Sequence, residues 1–208
     1  MPFRLIHIFS LLLFVFNNTA IAQNSIHLIP ETSSIRVLGT SNVHDWEMYV
    51  EFQTETLDYE IPNNSLKKLK NIEFKIEGNQ FKSKESAMEK KAHKAMDLSH
   101  FPYITFLLKK ITIRNNKPAS FNAVAFGTLI ISGQSKDVKL PINGKILGSR
   151  KMNITGHIDL KMSDFKIKPP TAFFGAISTA DEIKILYSID FTSKQKISPE
   201  MLSSNLNP

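Results

Sequence analysis

Alternation of apolar and polar side chains with a period of two runs through most of this sequence, and no other feature restricts the fold as tightly. Successive side chains of a β-strand point to opposite faces, so strict alternation marks strands with one dry and one wet face. Ile35 and Val37 alternate with polar neighbours, and Trp46, Met48, Val50 and Phe52 alternate with Glu47, Tyr49, Glu51 and Gln53. Ile72, Phe74 and Ile76 share a face. In "YITFLLKKITIR", Ile104, Phe106 and Leu108 are in phase while Ile111 and Ile113 are one residue out, which predicts a bulge near Lys109-Lys110. Ala123, Ala125, Gly127, Leu129 and Ile131 run from small to large, as a tapering interior requires. "KDVKLPINGKIL" follows a Gly-Gln-Ser-Lys turn. Met152, Ile154, Gly156, Ile158, Leu160 and Met162, and then Ile183, Ile185, Tyr187, Ile189 and Phe191, complete the set. The expected fold is all-β: a closed antiparallel barrel of about eight strands, because closure removes unpaired edges. A barrel of that size either fills with side chains or holds one small ligand, and alternation does not choose between them.

Two stretches break the pattern. Glu85 to Asp97 places Met88, Ala92, Ala95 and Met96 at helical spacing among lysines, which predicts one short amphipathic helix. "LSHFP" ends it, since a residue before proline avoids α geometry. The connection from Ser163 to Glu182 is long and carries Phe165, Ile167, Phe173, Phe174 and Ile177, so it is expected to serve as a lid or plug.

At the front of the chain, Arg4, a 12-residue apolar run from Leu5 to Phe16 and the small residues of Ala20 to Ala22 have the order of a signal peptide. Twelve residues span about 18 Å as a helix, too short for a hydrocarbon core of about 30 Å. The expected organisation is a signal peptide over 1–22, a barrel domain over 23–192 and a flexible tail over 193–208, in an exported protein, periplasmic or secreted. There is no cysteine, so disulfides, thiolate metal sites and cysteine nucleophiles are excluded. The net charge of +7 is uneven: residues 67–117 hold thirteen basic and five acidic side chains, and residues 23–66 one and seven. Export and the lack of aromatic-basic interleaving argue against nucleic acid.

"GTSNVHDWEM" (39–48) brings Ser41, His44 and Asp45 together, but adjacent strand residues face opposite ways, so Asp45 cannot orient the His44 ring. No catalytic residues are assigned. His44 shares the inward face of Trp46 and is a candidate to hydrogen-bond a ligand's polar head. The histidines of the barrel domain (His27, His44, His93, His100, His157) show no metal-ligand spacing, and no metal is assigned. Lys90, Lys91 and Lys94 beside the helix stripe would suit an anionic leaflet, against the plainer reading that the stripe packs on the barrel.

Four stretches, taken in order, resemble the YceI family of exported, polyisoprenoid-binding-like proteins: "GTSNVHDW", "HKAMDLSHFPYITFLLKKI", "GTLIISGQSKDVKLPI" and "MSDFKIKPPTAFFGAISTADEIKILYSIDF". The resemblance implies an extended, lipocalin-like barrel whose apolar cavity takes a long isoprenoid or quinone-like chain, with no other cofactor and no catalytic residues. The family's longer His-containing stretch is shorter here, so His44 takes no role from it. The cavity would be lined by Trp46, Met48, Phe52, Phe74, Phe106, Leu129, Met152, Ile154, Ile158, Ile185 and Tyr187, with Phe173 and Phe174 as lid. The expected function is to sequester or transport an isoprenoid or other long-chain lipid. The alternative is a filled barrel acting through surface contacts with a protein or envelope partner. A long-chain lipid, a membrane surface met transiently and a second copy in a homodimer are the partners that fit.

Overall fold

A computed structural model describes residues 24–52, 58–61, 66, 69, 71–117, 119–194 and 196–197. The segment read as a signal peptide and the tail beyond Ile197 lie outside them. The strands are β1 (Asn24–Leu28), β2 (Ser34–Ser41), β3 (Asp45–Val50), β4 (Asp58–Ile61), β5 (Ile72–Glu77), β6 (Phe81–Lys82), β7 (Tyr103–Lys117), β8 (Ser120–Ile131), β9 (Gln134–Leu147), β10 (Lys151–Lys161), β11 (Thr171–Ala172) and β12 (Ile177–Ser193). Among the described residues one α-helix, α1 (Ser86–Ala95), stands between β6 and β7.

Hydrogen-bonded neighbours run β5-β7-β8-β9-β10-β12-β2-β3-β6, and each pairing along this wall is antiparallel. The wall therefore has nine strands where alternation suggested about eight. β6 and β11 have two residues each, too few to display a period. The two ends of the wall, β5 and β6, are consecutive in the chain and joined by a 3-10 turn at Gly78–Gln80. The Gly78 N–H donates to Pro102 O at 2.7 Å and the Glu51 N–H to Gln80 O at 2.8 Å, so one bent segment nearly closes the barrel.

Local chemistry sets the register. β7 and β8 slip between Leu108 and Lys110, the bulge that the change of phase predicts. β8 turns into β9 at Ser132 and Gly133, both at positive φ as a two-residue hairpin of the primed type requires. This turn lies earlier than the expected Gly-Gln-Ser-Lys, because Gln134 and Ser135 already pair with Ile131 and Ile130. β12 begins at Ile177, inside the stretch expected to be loop.

The interior is divided along its length. At one end Ile26, Leu28, Leu66, Leu69, Leu108, Phe121, Ala123, Ala125, Ile142, Met152, Ile189, Phe191 and Ile197 form one packed cluster. Ile197 belongs to it although its surroundings in sequence are polar, and its N–H donates to Ser149 O at 2.7 Å, so the tail docks at that point. At the other end two smaller clusters stand apart, one around Phe165 and Leu129, the other around Val37, Met48 and Phe81. The space between those two clusters carries the functional interest.

Candidate ligand cavity

A cavity of about 470 Å³ opens between the two clusters. Its walls come from Val37, Trp46, Met48 and Phe81 on one side and Leu129, Ile131, Met162 and Ile167 on the other, with Ile104, Ile183 and Ile185 between. Trp46, Ile104, Ile183 and Ile185 face inward yet are only half-buried, whereas their counterparts at the filled end, such as Met152, Ile189 and Phe191, are buried. Inward side chains that remain accessible are the mark of a hollow interior. The volume lies within the ~300–1,000 Å³ of small-molecule sites.

The helix roofs this space. Met88, Ala92, Ala95 and Met96 all line the cavity, so the stripe read from spacing packs onto the barrel. Hydrogen bonds that fix α1 include His93 Nε2 with Phe81 O at 2.8 Å, Ser132 Oγ to Met96 O at 2.8 Å, and Lys91 Nζ to Thr171 O at 3.2 Å. Burial pushes the Glu89 carboxyl up, but the Ser83 N–H and the Lys82 ammonium outweigh it and hold the group below the ordinary value.

The Gly39–Met48 corner forms one edge of the mouth. Ser41 Oγ accepts from the N–H groups of Val43 and His44 at 3.2 and 3.1 Å and donates to His44 O at 2.8 Å. Its hydroxyl thus builds the turn. His44 Nδ1 meets the backbone carbonyl of Asp45 at 2.8 Å, and that contact makes Nδ1 the donor. No Ser–His–Asp relay exists at this corner. Trp46 lies across Gly39, its cross-strand partner, and donates Nε1–H to Thr40 O at 3.1 Å. Any side chain at position 39 would collide with the indole.

Opposite the corner, the connection expected to act as lid or plug does two different things. Its first part, the 3-10 turn Met162–Phe165, fills a gap in the wall. β9 and β10 pair only from Asn143–Leu147 to Lys151–Thr155, and beyond that they part. Phe165, 1 % exposed, sits in the cluster between them. Asp181 holds the turn by accepting from Ser163 N–H at 2.8 Å and Ser163 Oγ–H at 2.5 Å, bonds that keep its carboxyl below the ordinary value, the hydroxyl bond foremost. Lys136 pairs with Asp164 across the same gap. Where β9 and β10 part, Tyr187 reaches over Gly156, its cross-strand partner, and donates its hydroxyl to Pro141 O. Burial pushes that hydroxyl well above the ordinary phenol value.

The second part forms the lip. Pro170, Thr171, Ala172, Phe173 and Ile177 line the cavity together with Ser41, His44, Glu85, Ala87, Lys91 and Thr179. Phe173 and Phe174 lie at φ of 48° and 54°, in the left-handed region that bulky residues avoid, and are 76 % and 113 % exposed. Phe174 stands in water, and Phe173, largely exposed, also borders the cavity.

Of the residues singled out from sequence, Trp46, Met48, Leu129, Phe173, Ile185 and His44 surround the cavity. Phe52, Phe74, Phe106, Met152, Ile154 and Tyr187 pack against or within the filled cluster, and Ile158 packs against the Phe165 cluster. Phe174 stands outside. Sequence reasoning missed Val37, Ile104, Ile131, Met162 and Ile183 as lining, although each is two residues from an inward position or already on a named inward face. It missed Phe81, which stands in no alternating run, and gave Ile167 to the lid or plug rather than to the wall. Among the described residues no three His, Asp or Glu side chains gather where a metal ion could be held.

Comparison with known proteins agrees with this architecture. No curated protein sequence matches the chain. Among solved structures, BcnA of Burkholderia cenocepacia superposes with a TM-score of 0.55 at 16% identity, covering 78% of this chain and 98% of its own. A polyisoprenoid binding domain from Saccharophagus degradans, implicated in plant cell wall breakdown, gives 0.58 at 9% identity over 81% and 98%. At these identities the likeness is one of fold. The model of the YceI-like domain family matches residues 27–191. The chain belongs to the YceI-like domain family.

Proposed function

We propose that this protein is an exported carrier or store for an isoprenoid or similar apolar chain, which lies in the cavity beneath α1. The observation that carries the reading is the cavity itself: an apolar space open at one rim, in a barrel whose other end is packed solid. The neighbouring fold in Saccharophagus degradans, described as polyisoprenoid binding, supports the same class of ligand. At about 30 Å³ for each water-sized group, the cavity takes roughly sixteen such groups. That favours a chain of a few isoprene units, or the end of a longer one whose remainder emerges at the mouth. His44 at the rim then stands where a polar head would be.

The energetics suit a carrier. Burying a CH₂ from water is worth about 0.8 kcal/mol, so a long chain taken from water would approach the practical affinity ceiling of ~18–21 kcal/mol. A chain drawn from a bilayer leaves one apolar medium for another, and its transfer is nearly balanced. Methionines 48, 88, 96 and 162 in the lining adapt to chains of differing shape. A larger concavity of about 1020 Å³, which shares Trp46 and Ile183 with the first, is a weaker candidate, since Lys136–Asp164, Lys161–Glu182 and Lys184–Asp159 pair along it.

Trp46, the sole tryptophan, lines the cavity and reports on entry. Titration with farnesol or a short-chain quinone should change its emission saturably. An emission spectrum that stays constant, with no isoprenoid bound at equilibrium dialysis, would remove the proposal.

A further inference from the structure

Two aromatic rings stand in water beside the cavity mouth, and binding a chain does not by itself require them there. Phe173 and Phe174 are held outward by backbone in the left-handed region, a strain that folds retain where the geometry is used. Val43, 61 % exposed, is close by: its neighbour Asn42 bonds Ala176 O at 2.9 Å and accepts from Ser178 N–H at 3.0 Å, tying the two segments together. The charge around them is one-sided. α1 and residues 166–174 carry Lys90, Lys91, Lys94, Lys166 and Lys168. Of the acidic groups on or beside these elements, Glu89 is engaged by Lys82 Nζ at 3.4 Å and the Ser83 N–H at 3.3 Å, Asp97 by His100, Asp164 by Lys136 and Asp181 by Ser163, which leaves Glu85 and Asp45 against the five lysines.

Aromatic rings inside a basic collar match the interface of an anionic bilayer, where rings settle at the headgroup level and lysines meet lipid charge. We propose that the Phe173–Phe174 lip docks the protein on an anionic lipid surface with the cavity mouth against the membrane. An apolar chain then passes between bilayer and cavity without crossing water. The inference rests on the carrier reading for its purpose, though not for its geometry. No helix among the described residues is long and apolar enough to cross a membrane.

The test is co-sedimentation of the purified protein with vesicles of phosphatidylcholine alone and of phosphatidylcholine mixed with phosphatidylglycerol. Phe174 lies outside the cavity lining and is fully exposed, so Phe174→Ser keeps both the fold and the ligand content, which extraction and mass spectrometry check. Wild type should bind the anionic vesicles, and less so as salt rises. Phe174→Ser should lower the partition coefficient at least about tenfold, and Lys94→Gln and Lys168→Gln about fivefold each. Equal sedimentation of wild type and Phe174→Ser, absence of binding to anionic vesicles, or self-association abolished by Phe174→Ser would each overturn it. A protein that binds vesicles through Phe174 but holds no lipid leaves the docking standing and removes the carrier reading.

Discussion

Trp46 shows how one residue shapes the site. Its indole is flat against the wall because Gly39 opposite it has no side chain, and the cavity exists partly because the ring does not stand across it. Gly39→Val should destabilise the protein by about 1–3 kcal/mol in urea unfolding and shift Trp46 emission, since the indole has to leave its place. Tyr187 makes a different contribution. It satisfies a carbonyl that β9 can no longer offer to β10, and Tyr187→Phe should cost about 0.5–1.5 kcal/mol by the same measurement, with the cavity unchanged. Trp46 and Gly156 were each visible in sequence at an inward position of its own strand, and Gly39 was not. That Gly156 serves as a bridge for Tyr187 was not, because it depends on where two distant strands part company.

Among the elements, the strands and the helix stripe were legible because each announces its dry face through its own period. The division of labour within 162–177 was not. Phe165 and Phe174 sit in equally apolar stretches of sequence, yet one is the plug of a wall gap and the other is in solvent. Only the splaying of β9 from β10, a property of four strands together, decides which is which. The plug also predicts a pH response. Asp181 has its carboxyl held below 3.8 by Ser163, so its stabilisation is fully present above 3.8 and is lost as pH falls through the lowered value. Thermal melts of wild type and Asp181→Ala should therefore differ at neutral pH and converge in strong acid; a gap that persists there would contradict the role given to the carboxylate.

As a whole molecule, the protein is a barrel solid at one end and hollow at the other, with a helix over the hollow and an aromatic lip at its mouth. Alternation leaves filled and hollow barrels equally open, because it states which way a side chain points and not whether it meets another. The resemblance carried by the four sequence stretches favoured the hollow one. Ala92→Phe, which places a ring into the cavity from the roof, should leave stability within about 1 kcal/mol of wild type while displacing the ligand. The most direct test of the central claim is native mass spectrometry of protein purified without detergent, wild type beside Ala92→Phe. Wild type should carry an added mass that organic extraction identifies as an apolar chain, and the folded variant should lack it. Both proteins appearing at the bare polypeptide mass, or both carrying the same adduct, would contradict the account.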